Sequence, residues 1–226
     1  MNSIASVAKW RGGLIGTMDP TRIESSKWTQ GPDSHGFGQD FERLKQSIAD
    51  ANGNLQPIKV RPAEVYLPWD LTGSHLASEK YEIVFGHARH AACEQLGLPV
   101  FTMVEDLSDS ELFRQFVVEY IGHPIWRPWR LATCFSRALS EGLFPTMRRM
   151  ANCTALDLSE VGLLMEFSQL PQSIRNAYGE LVMNRQQGKK LIRAFKQSPD
   201  TLTANASTRD FAMCRSAAAV FGVLTR

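Results

Sequence analysis

The stretch Tyr81-Glu-Ile-Val-Phe-Gly-His-Ala-Arg-His-Ala-Ala92 holds the residues best arranged for chemistry. An apolar strand pattern runs through one glycine directly into a helical pattern. Such a junction turns backbone N–H groups outward at the positive end of the helix dipole, where phosphate binds readily. Gly86 permits close approach of a ligand, and Arg89 falls in the first helical turn, where it can pair with an anion. His87 and His90 can donate further hydrogen bonds when protonated. The same residues also suit a plain strand-to-helix turn with two surface histidines, and the stretch alone leaves both readings open.

A second set of candidates lies in the other half of the chain. Residues 1–119 carry 11 Lys+Arg against 16 Asp+Glu, whereas residues 120–226 carry 14 against 7. A basic half suits a polyanion, because each cation set on a phosphate releases condensed counterions; an ordinary solvated surface fits the same count. Pro145–Ala151 and Asp157–Pro171 have the spacing of two short helices joined by a tight turn. Met147, Met150 and Ala151 are expected to pack the first helix, and Val161, Leu164 and Phe167 the second. Asp157 with Glu160 reads as a helix cap and its reciprocal partner. The outward positions of the second helix are then Ser159, Glu160, Gly162 and Leu163, with Glu166 further along. None is basic. Glu160 suits the amino group of a cytosine, or else only its own helix end. Phosphate contacts are therefore expected from Arg148 and Arg149 before the turn and from Arg185, Lys189, Lys190 and Arg193 later. Arg185, Lys189 and Arg193 fall at i, i+4 and i+8 on one helical face. Any helical hairpin meets this spacing, so the pattern is not specific by itself. In Trp126-Arg-Pro-Trp-Arg130 the aromatics suit base stacking, but the expected role of the two tryptophans is to lock a domain interface.

The elements that must position these residues follow from the hydrophobic period. Residues 1–38 are rich in Gly, Ser, Thr and Pro without a sustained period and read as a flexible arm. Phe41, Leu44 and Ile48 recur at helical spacing up to Asn52-Gly53, and Ile58, Val60 and Val65 alternate as a strand. A surface loop over Leu67–Lys80 precedes the strand Tyr81–Phe85, the helix His87–Leu96 and the strand Val100–Val104. Ser108 with Glu111 then forms a capping box for a helix to about Ile121. This order predicts a small α/β domain over 39–122. Beyond Pro128 only helices are expected: Trp129–Leu139, Thr146–Cys153, Ser159–Phe167, Gln172–Val182 and Arg185–Phe195, in a domain over 123–200. A polar linker and one helix within Phe211–Leu224 would complete residues 201–226. The fold class is α+β, a small α/β domain followed by an all-helical one.

Composition limits the alternatives. No apolar run of membrane-spanning length occurs, and Met1–Lys9 is too short and too weakly apolar for a secretory signal. Cys93, Cys134, Cys153 and Cys214 lie far apart without metal-site spacing, so they are expected to be free, mostly buried thiols of a cytoplasmic protein.

The succession Phe41–Ile48, Leu55-Gln-Pro-Ile-Lys-Val-Arg-Pro62, Gly86-His-Ala-Arg89, Gly97-Leu-Pro-Val100 and Glu119–Pro128 resembles the N-terminal domain of the ParB family of plasmid and chromosome partition proteins. The hairpin ending in Gln169-Leu-Pro171 is similar to that family's DNA-binding helix-turn-helix. The resemblance implies a CTP site with Mg2+ on the first domain, with Gly86, His87, Arg89 and His90 around the phosphates and Glu119 toward the metal. It also implies double-stranded DNA as partner, a homodimer, and a ParA-type ATPase docking on the N-terminal arm. The chain departs from the pattern where that chemistry sits. His87 and Ala88 replace a Glu and an Arg of the family's box, Tyr120 follows Glu119 where Asn is usual, and Thr29-Gln-Gly31 stands near the expected Gln-Pro-Arg element. The expected role is DNA binding in partition or maintenance of a plasmid or integrative element, nucleoid- or plasmid-associated, with repression as a further task. A CTP-hydrolysing switch or nuclease, and a protein–protein adaptor on a vestigial scaffold, are the competing readings.

Overall fold

The computed structural model describes residues 8–10, 13–29, 38–63, 80–122, 128–179 and 181–226. The chain divides into two compact units, Met1–Phe116 and Val117–Arg226, and it is a mixed α+β protein.

The first unit is built on a six-stranded sheet in the order β1-β2-β6-β4-β5-β3. Its strands are β1 (Ala8–Trp10), β2 (Gly13–Met18), β3 (Ile23–Ser25), β4 (Ile58–Pro62), β5 (Tyr81–Phe85) and β6 (Val100–Val104). β2 pairs antiparallel with β6, with Gly16 opposite Thr102, and β6 runs parallel to β4. β4 pairs antiparallel with β5, the register slipping between Lys59 and Val60, and β5 runs parallel to β3. Helices α1 (Gly38–Asp50) and α2 (His87–Leu96) pack on each other. Phe41, Ile48, Ala92 and Cys93 from these helices join Ile58, Val60, Tyr81 and Ile83 from the strands in one buried cluster. The alternation of apolar residues along β4 and β6 places that side chain set on one sheet face. β5, the helix after it and β6 have the bounds the sequence predicts.

Residues 1–38 are not a featureless arm. β1, β2, a 3-10 turn at Pro20–Arg22 and β3 all lie within them. These strands are short; β1 pairs only with β2, while β2 and β3 gain partners from β6 and β5, so no local period announces them. Val65 and most of the Leu67–Lys80 loop lie outside the described residues.

Helix α3 (Asp109–Gly122) starts at the predicted capping box: Ser108 N–H donates to Glu111 Oε2 at 3.0 Å, and Glu111 N–H donates to Ser108 Oγ at 3.3 Å. Arg61 of β4 holds the same end. Its Nε and Nη2 donate to Glu82 Oε2 at 2.8 and 2.5 Å, Nη2 also donates to Asp109 Oδ1 at 2.5 Å, and Nη1 donates to the Leu107 carbonyl at 2.9 Å.

The second unit is helical: the end of α3, then α4 (Pro128–Ser140), α5 (Met147–Thr154), α6 (Leu158–Ser168), α7 (Gln172–Tyr178), α8 (Arg185–Gln197), α9 (Pro199–Thr208) and α10 (Ala217–Leu224). α4 packs on α6 and α7 on α9. Trp129, Phe167, Tyr178, Leu191, Leu202 and Val220 share its core. α7 stops at Tyr178 rather than Val182, because Gly179 takes φ 53° and ψ −127°, a conformation that ends the helical ladder. The stretch after Asp200 is a helix, not a linker, since Pro199 occupies its first turn and Leu202 is buried in the core. Among the described residues no helix is long and apolar enough to cross a membrane.

Candidate functional site

The strand-to-helix junction forms as the sequence suggests. β5 ends at Phe85, Gly86 adopts φ 94° as the cap of α2, and no side-chain bond closes the helix start. Glycine is needed there for packing as well as for torsion. A Cβ on residue 86 would stand 2.6 Å from Ile58 Cγ2 and 2.9 Å from Ile58 Cβ, so the side of the turn facing β4 is filled by protein.

The other side chains of the candidate phosphate site meet neighbouring backbone and hydroxyl groups. Arg89 Nη1 donates to the carbonyls of Gln56 and Pro57 at 3.1 and 2.9 Å, tying α2 to the Leu55-Gln-Pro-Ile58 loop. His90 Nε2 lies 3.0 Å from the Pro20 carbonyl, which requires the proton on that nitrogen. His87 Nε2 is 3.4 Å from Thr29 Oγ1, and its ring stands edge-on to Phe116 with centroids 6.2 Å apart. The structure therefore brings Gly86, His87, Arg89 and His90 together with Thr29, from the segment where the family's other element was sought. Thr29 and Ser26 are both buried.

Sequence reasoning missed Asn54. Its side chain donates to the carbonyls of Gln56 and Phe101 at 2.8 and 2.9 Å and accepts from Phe101 N–H at 2.8 Å. The Cys93 thiol also donates to it at 3.6 Å. The loop that holds Arg89 is thus fixed by a buried amide joined to β6 and α2. An Asn one residue past an Asn-Gly turn offers no local signal of this role.

Glu119 is exposed on α3, within the second unit, whereas the Gly86 junction lies in the first. Among the described residues no group of three or more His, Cys, Asp or Glu side chains is placed to hold a metal ion.

The basic half forms the predicted pair of short helices. Thr146 caps α5 by accepting from Arg149 N–H, and α5 ends on Ala155 in the left-handed region with φ 56°. α6 begins after Asp157. Three expectations about this pair are corrected. Leu163 is 8% exposed and belongs to the core, because α4 covers that side of α6. Met147 is 40% exposed rather than packed, since it is the first residue of α5 and Met150 and Ala151 take the inward face. Asp157 makes no side-chain cap bond, and Glu160 instead lies 2.7 Å from Arg185 Nε in an ion pair. Ser159 is exposed and Gly162 half-buried, and Leu158, which sequence reasoning passed over, is 44% exposed at the helix start.

Arg148 and Arg149 are exposed on α5, and Arg185, Lys189, Lys190 and Arg193 are exposed on α8. α8 starts with a full capping box between Asn184 and Gln187. Lys196 pairs with Glu166 at 2.5 Å. Trp129 packs within the helical core, edge-on to Phe167 with centroids 4.9 Å apart. Trp126 lies outside the described residues. Arg130 sits with its guanidinium 5.8 Å from the Tyr120 ring centroid. The segment Phe211–Leu224 contributes Ala217, Val220 and Leu224 to the chain's own core. Its final carbonyls accept from Arg209 and Asn205.

Residues 15–121 match the family model of the ParB N-terminal domain. A "Probable chromosome-partitioning protein ParB" of Pseudomonas putida is 27% identical over 146 residues, 63% of this chain and 45% of the relative. The chain thus spans about half the length of that relative. The C-terminally truncated chromosome-partitioning protein ParB from Caulobacter crescentus, complexed to the centromeric parS site, superposes with a TM-score of 0.42 at 19% identity, covering 78% of this chain and 91% of that one. The same protein complexed with CTP-gamma-S gives 0.35 at 18% identity, covering 92% and 97%.

Proposed function

From the match of residues 15–121 to the ParB N-terminal domain, we propose that the protein binds double-stranded DNA and acts in partition or maintenance of a replicon. The carrying observation is the order of parts. The family domain is followed by a helical unit in which α5, a tight turn and α6 stand beside exposed Arg148, Arg149, Lys189, Lys190 and Arg193. The 146-residue likeness to the P. putida relative is longer than the matched domain, so the similarity continues beyond it.

In this reading the helix pair lies against the major groove, with Ser159 and Glu160 at the start of α6 near base edges. The cations of α5 and α8 hold the phosphates, so affinity is mainly electrostatic. The start of α2 fits a phosphate group. Its helix dipole, uncapped Gly86 and the nearby His87 ring all suit an anion. A magnesium ion there would take most of its ligands from phosphates and water, since among the described residues no three His, Cys, Asp or Glu side chains converge to hold one. CTP, whose analogue CTP-gamma-S is bound in the C. crescentus complex, is the ligand to try. Homodimerisation and a ParA-type ATPase partner belong to the same proposal, as does a repressor role.

Titrating the full chain with labelled duplexes at several salt concentrations, with and without CTP, tests it. The expected result is binding whose affinity falls steeply with salt. Absence of binding to every duplex, or salt-independent binding, would remove the proposal; a CTP effect on DNA affinity would assign the α2 site to the nucleotide.

A further inference from the structure

We infer that Arg185 is a positioning residue for Glu160, holding its carboxylate at the start of α6 as the acceptor for an exocyclic amino group of a base in the major groove. This rests on the DNA-binding reading above and concerns what that surface discriminates.

Glu160 is the third residue of α6, within the turn that helix-turn-helix proteins present to base edges. Its carboxylate pairs with Arg185 Nε at 2.7 Å, the two side chains being 30% and 51% exposed. It has no reciprocal bond with Asp157, whose side chain caps nothing. Among the described residues Glu160 has no other charged or hydrogen-bonding side-chain partner. An unheld glutamate at this point would meet two obstacles. Its charge would be repelled by flanking phosphates, and its rotamers would have to be ordered on binding. The guanidinium offsets both, by neutralising the carboxylate and by fixing it.

The surroundings restrict where the carboxylate can turn. Ile121, Leu131, Leu156, Leu163 and Leu164 line a small cavity beside the pair, an apolar wall against which a charged oxygen finds no donor. The remaining acceptor capacity of Glu160 is therefore met from the solvent side, where a duplex would lie. A carboxylate accepts and does not donate, so it fits the N4 amino group of cytosine or the N6 amino group of adenine. It is repelled by the acceptor edges of guanine and thymine. The second ion pair of α6, Glu166 with Lys196, lies nearly two turns further along the helix and is a packing contact in this scheme. Arg185 is thereby separated from Lys189, Lys190 and Arg193: those hold phosphates, whereas Arg185 orients a base reader.

The test uses the full chain. A random-sequence duplex pool selected on the wild type yields a preferred duplex, and affinities for its single-base-pair variants are measured with wild type, Glu160→Ala, Arg185→Ala and Arg185→Lys. The expected result is that Glu160→Ala and Arg185→Ala lose discrimination at one and the same base pair, on the order of tenfold. Arg185→Lys should keep part of it, and Arg185→Ala should leave the salt slope unchanged. A uniform loss across all variants with a slope smaller by about one would assign Arg185 to a phosphate and overturn the inference. Loss at two different base pairs, or no loss at either, would overturn it as well. Failure to select any duplex would remove the DNA-binding reading itself, and with it this inference.

Discussion

Gly86 and Ile58 are in contact across the strand-to-helix junction so closely that a single added methyl group on the glycine would overlap the isoleucine side chain. The torsion at Gly86, φ 94°, adds a second penalty for any L side chain. Gly86→Ala should therefore cost about 2–4 kcal/mol of stability, combining the torsional strain with overpacking. Ile58→Ala in the same chain should recover part of that loss relative to the sum of the single changes. Urea unfolding of the four proteins measures this, and simple additivity would rule out the steric account.

Arg61 joins two carboxylates and a carbonyl at the head of α3. Arg61→Ala leaves Glu82 and Asp109 without their shared cation and should cost about 2–3 kcal/mol by chemical denaturation. A double-mutant cycle with Glu82→Ala should give a coupling of about 1 kcal/mol or more. A coupling near zero would show that the guanidinium contributes through Asp109 and the Leu107 carbonyl rather than through Glu82.

The capping box of α3 makes a pH prediction. The hydroxyl and then the backbone N–H of Ser108 hold the Glu111 carboxyl below the ordinary glutamate value. A carboxylate whose folded pKa is depressed contributes stability that is fully present above its unfolded pKa and is lost as pH falls through the folded one. The stability difference between wild type and Glu111→Gln should thus be constant near neutrality and shrink below about pH 4.3. An unchanged difference down to pH 2 would exclude the linkage. Since Glu111 is exposed, the effect is expected to be small.

Thiol labelling reports the two cores separately. Burial pushes the Cys134 thiol up to about 11, and burial also raises that of Cys93. Cys153 and Cys214 are partly exposed. With iodoacetamide at pH 8, Cys153 and Cys214 should label in the native protein, whereas Cys93 and Cys134 should label only after unfolding. Peptide mass spectrometry resolves the four sites.

The α8 cations are tested by salt dependence. Replacing Lys189, Lys190 and Arg193 together with Gln should lower the slope of log affinity against log salt by about 2–3, without changing base preference. All three are exposed, so unfolding curves should stay close to wild type.

The sequence was most legible where local signals agreed. β5, α2 and β6 carry strand alternation, a glycine punctuating each end and a helical period between, and their bounds follow directly. β2 and β3 escaped notice because their pairing partners β6 and β5 are distant in sequence, and β1 because it is three residues long and pairs only with β2. Of the positions expected to face outward on α6, Ser159, Glu160, Gly162 and Leu163, the last is buried beside Val161, Leu164 and Phe167, so the apolar surface of α6 is broader than one face. The residue types of the α2 site were visible, while their partners were not: nothing near Arg89 points to the Gln56 and Pro57 carbonyls, and nothing near His90 points to Pro20. Glu160 looked like a cap because its true partner lies on another helix.

The strand order has a consequence for how the chain is made. β2 is joined to β6 with 86 residues separating Gly16 from Thr102, and β3 waits for β5 in the same way. At about 5–20 residues per second of synthesis, the first strands leave the ribosome roughly 4–17 s before the partner of β2 exists. A two-stranded ribbon of β1 and β2 is marginal alone, so over that interval the N-terminal segment has no stable place to dock. β1 and β2 are made well before β6 and can seat only after it, and assembly of the sheet is slow because its pairings are non-local.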